Sequence, residues 1–216
     1  MDHAAPGDRH ALLDGFEEFL ARRSRRVLDF VDDKPAHRGT GAATGARQSA
    51  VLVCLAADHG NDLRLLYVVR SRTLTHHPGQ IGFPGGRVEP ADGGLVQAAL
   101  RETLEEVAIP AERVRVLGLL DDQYTSASQH VVTPVLGMLD PEAQPRIVSD
   151  ENESLFWMGL ARLEAECRPV TLRAPGEPWK REGQWVFPTP CGPLWGLSSR
   201  ITHNLLQILR QYHSFS

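Results

Sequence analysis

The sequence predicts an α/β fold, an α/β/α sandwich around a mixed sheet, and the order of its apolar patterns is the main reason. Two strand-like stretches come first, an amphipathic helix pattern from Val96 to Val107 follows, more strands come next, and a second helix pattern closes the chain. The length of 216 residues and the hydrophobic content of 42% fit one folded domain with terminal extensions.

The first 47 residues are predicted to form a helix and a linker that pack on the main domain. Apolar residues between positions 10 and 31 recur at helical spacing, which predicts an amphipathic helix. Residues 33–47 are rich in Gly, Ala, Pro and Thr and are interpreted as a connector. The main domain is therefore assigned to residues 48–216.

Strands and the last helix of this domain follow from residue type and spacing. Residues enriched in β-formers, separated at 59–62 by a turn-like segment, predict a hairpin at the start of the sheet. The predicted strands are 49–57, 63–70, 113–120, 131–138 and 184–189, and the predicted closing helix is 194–212.

Charge, cysteine usage and hydropathy exclude several classes of protein. A net charge of −4 and a pI near 6.1 argue against a dedicated nucleic-acid binder, and the basic run at residues 21–26 is interpreted as a solvated helix face. Cys54, Cys167 and Cys191 are odd in number and lie in or beside apolar stretches, which favours reduced thiols and a cytoplasmic location. No secretory leader or membrane span is expected.

The most informative feature is an acidic edge on the helix predicted from Val96 to Val107. Glu102, Glu105 and Glu106 fall within one arc of that helix, while a different face is mostly apolar. Spacings of three and four residues make their mutual repulsion direct unless cations neutralise it. A solvated acidic face is the ordinary alternative. Mg²⁺, which prefers oxygen ligands, suits a binding site there.

The segment that leads into this helix favours the metal site over the solvated face. Phe83–Pro84–Gly85–Gly86 follows a strand-like stretch and precedes Asp92, which is predicted to cap the helix. Paired glycines let the main chain approach a phosphate or offer a carbonyl to a metal.

Residues 86–109 resemble the Nudix box, in which a glycine precedes an Arg-Glu-apolar-any-Glu-Glu helix. Gly86 opens the pattern here, and Glu102, Glu105 and Glu106 close it. Asp92 stands where the pattern has Glu, the spacer before Arg101 is one residue longer, and Ala108 replaces a glycine. The longer spacer with Asp and the Ala variant resemble the Nudix subgroup that hydrolyses coenzyme A.

An upstream pattern resembles the motif of the coenzyme A pyrophosphatases. Arg70, Ser71, Gly79 and Phe83 to Gly86 fit its register, whereas Thr75 replaces its second arginine, for which the nearby Arg72 is a substitute. The substrate-binding residues predicted on this basis are Arg70, Arg72, His77, Gln80, Gly85 and Gly86. For His77, an exposed residue of a turn is the alternative.

The resemblance also implies Mg²⁺ or Mn²⁺ as cofactor. Glu102, Glu105 and Glu106 are the expected ligands, Glu105 and Glu106 are also counted as catalytic, and Arg101 is expected to orient the carboxylates by ion pairing. Glu151 is the candidate general base because its segment is similar to the downstream acidic segment of the coenzyme A hydrolases. The alternative is an ordinary loop charge. Trp195 is interpreted as a packing residue.

The predicted activity is hydrolysis of coenzyme A or acyl-coenzyme A to adenosine 3′,5′-bisphosphate and (acyl-)4′-phosphopantetheine. A Nudix pyrophosphatase acting on ADP-ribose or a dinucleotide is the first alternative, and a Nudix-like binding module without turnover is the second. The expected partner is a small nucleotide substrate, with no nucleic acid and no membrane. A homodimer is left open.

Overall fold

The computed structural model describes Leu13 and residues 15–29, 47–58, 62–125, 130–173 and 180–215. Twelve strands and four helices are found in these ranges. The helices are α1 Phe16–Arg22, α2 Leu95–Val107, α3 Leu160–Glu166 and α4 Gly196–Phe215. The strands are β1 Val27–Asp29, β2 Arg47–Ala57, β3 Leu63–Arg70, β4 Ile81–Gly82, β5 Gly85–Arg87, β6 Val114–Leu119, β7 Asp122–Thr125, β8 His130–Leu139, β9 Asn152–Gly159, β10 Arg168–Arg173, β11 Lys180–Thr189 and β12 Gly192–Leu194.

Nine of the strands form one mixed sheet, as predicted. Its main order is β1-β7-β8-β2-β3-β4, with β5 against β2, β6 against β8 and β9 against β3. The pairs β2–β8 and β1–β7 are parallel, and the others in this sheet are antiparallel. The last three strands form a separate small sheet, which the sequence indicated only through residues 184–189.

Helices cover both faces of the large sheet, so the predicted α/β/α sandwich is confirmed. On one face, Ala98, Ala99 and Val107 of α2 pack with Leu52 and Leu66. The opposite face carries the larger core, to which α1, α3 and α4 contribute. Successive side chains of β2 point to opposite faces of the sheet. Leu52 and Cys54 therefore belong to the first core, and Val53 and Leu55 belong to the second.

A gap between β2 and β3 positions the glycine segment. The two strands pair over only three residues, from Leu55 opposite Leu65 to Ala57 opposite Leu63. Beyond that point β4 pairs with β3 and β5 pairs with β2, and the Leu52 N–H donates to the Pro84 carbonyl at 2.8 Å. The connection between β4 and β5 therefore lies inside the sheet.

The predicted helix over residues 10–31 is only partly correct. α1 ends at Arg22, and β1 begins at Val27 and pairs in parallel with β7. The Arg26 N–H donates to the buried Asp121 carboxylate at 2.8 Å, and the Arg26 carbonyl accepts from the Asp122 N–H. The chain leaves the helix because distant partners bind its backbone. The predicted connector lies outside the described residues except at Arg47, which begins β2.

The interpretation of residues 21–26 as a solvated helix face is wrong beyond Arg22, where α1 ends. Three arginines there pair with buried aspartates, and Arg25 Nε lies 3.3 Å from Asp122 Oδ2. Arg23 Nη1 lies 2.8 Å from Asp121 Oδ1, and Arg26 Nη2 lies 3.0 Å from Asp121 Oδ2. The Asn204 side chain of α4 donates to the same carboxylate at 2.9 Å. One buried acid therefore joins the N-terminal segment to the sheet and to the last helix.

The remaining predicted strands and the predicted closing helix agree with the structure. The strands at 49–57, 63–70, 113–120 and 131–138 and the closing helix are present within a few residues of the predicted bounds. The turn at 59–61 lies outside the described residues. The three cysteines are unpaired, and no helix in the described ranges is long and apolar enough to cross a bilayer.

Candidate active site

The three glutamates of α2 differ in exposure. Glu106 is only 6% exposed and lies at the margin of the α2 core. Glu102 is half-buried, and the side chain of Glu105 is 57% exposed. Thr103 occupies the apolar position of the pattern and donates its hydroxyl to the Ala99 carbonyl at 2.7 Å. Glu102 and Glu106, one turn apart, therefore point into the site.

Burial makes Glu106 the most perturbed carboxyl of this group. Desolvation raises the pKa of Glu106 to about 7, the nearby side-chain amide of Asn152 lowers it, and the negative charges of Glu102 and Glu151 raise it. The pKa of Glu102 is also raised, first by burial, although Arg101 favours its charged form. A cation placed among these carboxylates would relieve both effects.

Arg101 holds the acidic edge in place, as its predicted orienting role requires. Its Nη1 lies 3.0 Å from Glu102 Oε1 and 3.1 Å from Glu105 Oε2, while Nη2 donates to the Arg87 carbonyl at 3.1 Å. Its Nε and Nη2 contact the two carboxylate oxygens of Asp92 at 2.9 and 3.1 Å. One guanidinium thus ties α2 to β5 and to the loop between them.

The prediction that Asp92 caps α2 is wrong. The N-cap residue is Gly94, and Asp92 accepts hydrogen bonds from Arg101 and from the Glu89 N–H at 2.8 Å. The hydrogen bond from Arg101 and the one from Glu89 lower the pKa of Asp92. Its carboxylate is therefore fixed as the partner of Arg101, which explains why an acid is needed at this position of the pattern.

The two glycines of β5 let the backbone of β2 approach closely at Gly85 and the Glu102 carboxylate approach closely at Gly86. A Cβ at Gly85, whose φ is +154°, would overlap the Ala50 carbonyl and the Val51 backbone. A Cβ at Gly86 would overlap the Glu102 carboxylate. Only glycine leaves room for this carboxylate beside the main chain, so the glycine segment and the acidic helix form one structural unit.

Arg70 and Glu151 form the other side of the site. The Arg70 side chain, at the end of β3, lies 3.3 Å from Glu151 Oε2 and interacts electrostatically with Glu106. The Ser71 N–H donates to the Glu151 carbonyl at 2.8 Å, and the Arg70 N–H donates to the Gln80 carbonyl at 2.9 Å. These bonds hold Arg70 and Ser71 beside Gln80 and beside Glu151, which directly precedes β9.

The other predicted substrate residues lie on the loop between β3 and β4. Arg72 is 82% exposed and lies 3.5 Å from Glu153. His77 is exposed and has a positive φ of 56°, and its carbonyl accepts from the Gln80 N–H at 3.2 Å. In this structure neither Arg72 nor His77 contacts the α2 carboxylates.

Sequence reasoning missed Asn152 and misjudged Trp195. Asn152 is 4% exposed, begins β9 and lies next to Glu106. It follows Glu151, the candidate general base, directly in the sequence, and this neighbourhood was the available signal. Trp195 was interpreted as packing, but it is 45% exposed at the start of α4.

The donor set fits a hard divalent cation. Glu102, Glu106 and Glu151 interact with one another electrostatically, and carboxylate oxygens together with the main-chain carbonyls of a glycine segment are ligands that Mg²⁺ and Mn²⁺ accept. Among the residues that the structure describes, no three His, Cys, Asp or Glu side chains already converge on one point. Arg101 contacts one carboxylate oxygen of Glu102, and Arg70 contacts one carboxylate oxygen of Glu151.

Comparisons with known proteins identify the family of this chain. The family model described as the NUDIX domain matches residues 46–183, which is more than half of the chain. A Klebsiella pneumoniae (strain 342) protein named "Uncharacterized Nudix hydrolase NudL" is 43% identical over 205 residues, covering 92% of this chain and 96% of that protein. A Cronobacter sakazakii protein of the same name is 44% identical over 168 residues, covering 75% and 83%.

Among solved structures, a C. elegans Ap4A hydrolase binary complex is similar at 23% identity with a TM-score of 0.45, covering 53% of this chain and 81% of that one. The domain match and the near full-length Klebsiella relative decide the assignment. The chain belongs to the Nudix family and is a Nudix pyrophosphohydrolase.

Proposed function

We propose that this Nudix enzyme hydrolyses the diphosphate bond of coenzyme A or acyl-coenzyme A. The products are adenosine 3′,5′-bisphosphate and (acyl-)4′-phosphopantetheine. The observation that carries the proposal is the cluster of Glu102, Glu106 and Glu151 beside Gly86 and Arg70, which can bind a densely anionic group only with divalent cations.

Each residue of this cluster has a distinct role in the proposal. Nudix hydrolases in general need divalent ions, and Mg²⁺ or Mn²⁺ supplies charge neutralisation and activation of the attacking water. Glu102 and Glu106 bind the ion with Glu105 at the exposed side, and a Gly85 or Gly86 carbonyl adds a ligand. Arg101 keeps the carboxylates oriented.

Glu151 is the proposed general base. It lies at the site but is exposed, and its bond to Arg70 leaves one carboxylate oxygen available for a water proton. Arg70 binds a substrate phosphate once the site is filled, because its guanidinium already interacts with Glu106 and Glu151.

The choice of coenzyme A depends on the upstream motif. The hydrogen bonds from Arg70 to Gln80 and from Gly79 to Arg70 give this motif a closed loop beside the site. Thr75, in the place of the motif's second arginine, is exposed. Arg72 lies three residues earlier in the same loop, and we assign it the missing phosphate contact, with His77 and Gln80 as further substrate-binding residues.

A substrate panel tests the proposal. The purified chain is assayed with Mg²⁺ or Mn²⁺ on coenzyme A, acetyl-coenzyme A, ADP-ribose and a diadenosine polyphosphate, with products separated by chromatography. We expect coenzyme A or its acyl derivative to have the highest kcat/KM. A preference of tenfold or more for ADP-ribose or the dinucleotide would overturn the choice of substrate.

The same assay distinguishes an enzyme from a binding module. Glu106→Gln keeps the size of the side chain and removes its charge, so turnover should fall at least 100-fold, about 2.7 kcal/mol of transition-state stabilisation, while the protein stays folded. The matched control Glu112→Gln changes an exposed glutamate outside the site and should leave turnover unchanged. Absence of turnover in the wild-type protein on every substrate would favour the binding module.

A further inference from the structure

Four polar side chains lie together at the beginning of β2, where the sheet meets the glycine segment. Arg87 of β5 is opposite Ser49 of β2, and His130 of β8 is opposite Arg47 of β2. Residues directly opposite on neighbouring strands, and residues two apart on one strand, point to the same face of a sheet. Arg47, Ser49, Arg87 and His130 therefore share one face, and we call them the basic cluster.

Contacts within the basic cluster confirm this shared face. Ser49 Oγ lies 3.0 Å from His130 Nδ1. Burial lowers the pKa of His130, and the positive charges of Arg87 and Arg47 lower it further, which shows that both guanidinium groups act on the same ring. Both arginines are exposed, and neither forms an ion pair with any residue that the structure describes. Two positive charges therefore lie near one imidazole ring, and no carboxylate of the described residues pairs with either of them.

The basic cluster adjoins the diphosphate site along the backbone. Gly86, whose Cα faces the Glu102 carboxylate, directly precedes Arg87 in β5. Arg101 donates to the Arg87 carbonyl at 3.1 Å, so the strand that carries Arg87 is fixed to the acidic helix. Neighbouring side chains of a strand point to opposite faces, so Gly86 borders the acidic helix and Arg87 borders the basic cluster on the other face. A ligand bound at Gly86 would have to extend around β5 to meet the basic cluster.

A phosphate monoester is the group that suits this arrangement. It carries a charge of about −1.5 to −2 at pH 7, and guanidinium groups bind its oxygens in bidentate pairs. Coenzyme A has such a group on the 3′ position of the ribose whose 5′ carbon carries the diphosphate, so only a few bonds separate the two anionic groups. ADP-ribose has no phosphate monoester.

We propose that Arg47 and Arg87 bind the 3′-phosphate of the nucleotide, with Ser49 and His130 beside them, and thereby make the enzyme prefer coenzyme A to its 3′-dephospho form. The inference rests on the proposed function for its substrate. It assigns the recognition of the nucleotide half to residues that are not among the defining positions of either sequence motif.

The test is the ratio of kcat/KM for coenzyme A to kcat/KM for 3′-dephospho-coenzyme A. In Arg47→Gln, in Arg87→Gln and in the double variant the ratio should fall because KM for coenzyme A rises. The fall should be at least fivefold in the double variant. The matched control Arg162→Gln changes an exposed arginine of α3 that pairs with Glu166, and it should leave the ratio unchanged. A fall of less than fivefold in the double variant overturns the proposal.

A binding measurement separates this proposal from the proposed function. Isothermal titration calorimetry compares adenosine 3′,5′-bisphosphate with AMP on the wild type and on the double variant, without turnover. The bisphosphate should bind the wild type at least fivefold more tightly, and the double variant should lose that advantage. Absence of coenzyme A hydrolysis by the wild type would count against the proposed function, whereas equal affinity for the two nucleotides would overturn the basic cluster alone.

Discussion

At the scale of single residues, the site depends on pairs in which one residue makes room for another or fixes it. Gly86 has no side chain because the Glu102 carboxylate occupies that space, and Asp92 is acidic because Arg101 needs a fixed partner. Glu106 is buried beside Asn152, so its charge is costly until a cation is near. The spacing of the motif is thus explained by contacts between its own members.

The Gly86→Ala variant tests the first of these pairs. The added Cβ would overlap the Glu102 carboxylate, which must then rotate away from Arg101 and from the proposed metal position. We expect kcat/KM to fall at least 30-fold without loss of the folded structure, measured by the substrate assay and by circular dichroism.

Gly93→Ala is the matched control for this variant. A Cβ at Gly93 would lie 3.5 Å from Gln97 Cγ, which is an ordinary contact, and the residue has no positive φ. Its kcat/KM should stay within threefold of the wild type. If Gly86→Ala also stays within threefold, Glu102 is not a metal ligand in the conformation described.

At the scale of elements, residue type and spacing predicted what local sequence determines and missed what distant partners determine. β2, β3 and β8 were predicted because they are enriched in β-formers or apolar residues, and α2 and α4 because their apolar residues recur at helical spacing. The end of α1 at Arg22 was not predicted, because the partner of Arg26 is Asp121, 95 residues away. The contact of Asn152 with Glu106 was missed for the same reason.

The Asp121→Asn variant tests the attachment of the N-terminal segment. The Asp121 carboxylate is fully buried and contacts Arg23, Arg26 and Asn204, so its removal leaves the partly buried guanidinium of Arg23 without its anion. We expect a loss of about 3 kcal/mol in the free energy of unfolding, measured in urea. Glu18→Gln, which removes an exposed pair with Arg22, should change it by less than about 0.5 kcal/mol.

The pH dependence of this effect has a definite sign. Burial opposes ionisation of Asp121, but hydrogen bonds from the Arg26 backbone, Asn204 and Arg23 outweigh it and lower the pKa. A carboxyl with a lowered pKa in the folded state stabilises the protein above its unfolded pKa of about 3.9, and this contribution disappears as pH falls through the folded value. The difference in the free energy of unfolding between the wild type and Asp121→Asn should therefore be largest at pH 7 and should shrink below about pH 4. An undiminished difference at pH 3 would contradict this assignment.

At the scale of the whole molecule, the site joins elements that are far apart in the sequence. The acidic helix α2, the glycine segment before β5 and the start of β9 each contribute to one cluster of negative charge. Repulsion within this cluster opposes folding until cations bind, since like charges in a partly buried site favour separation. Divalent ions should therefore stabilise the fold itself as well as the reaction.

The thermal midpoint in Mn²⁺ or Mg²⁺ measures this linkage without any substrate. An ion that binds only the folded chain adds about 2.7 kcal/mol at a concentration of 100 times its dissociation constant, which corresponds to roughly 5–10 °C for a domain of this size. Glu106→Gln should lose most of the shift because it removes a charged ligand, whereas Glu112→Gln, on the exposed turn before β6, should keep it. If Glu106→Gln keeps the full shift, the stabilising ions bind elsewhere, and the assignment of Glu106 as a ligand is wrong.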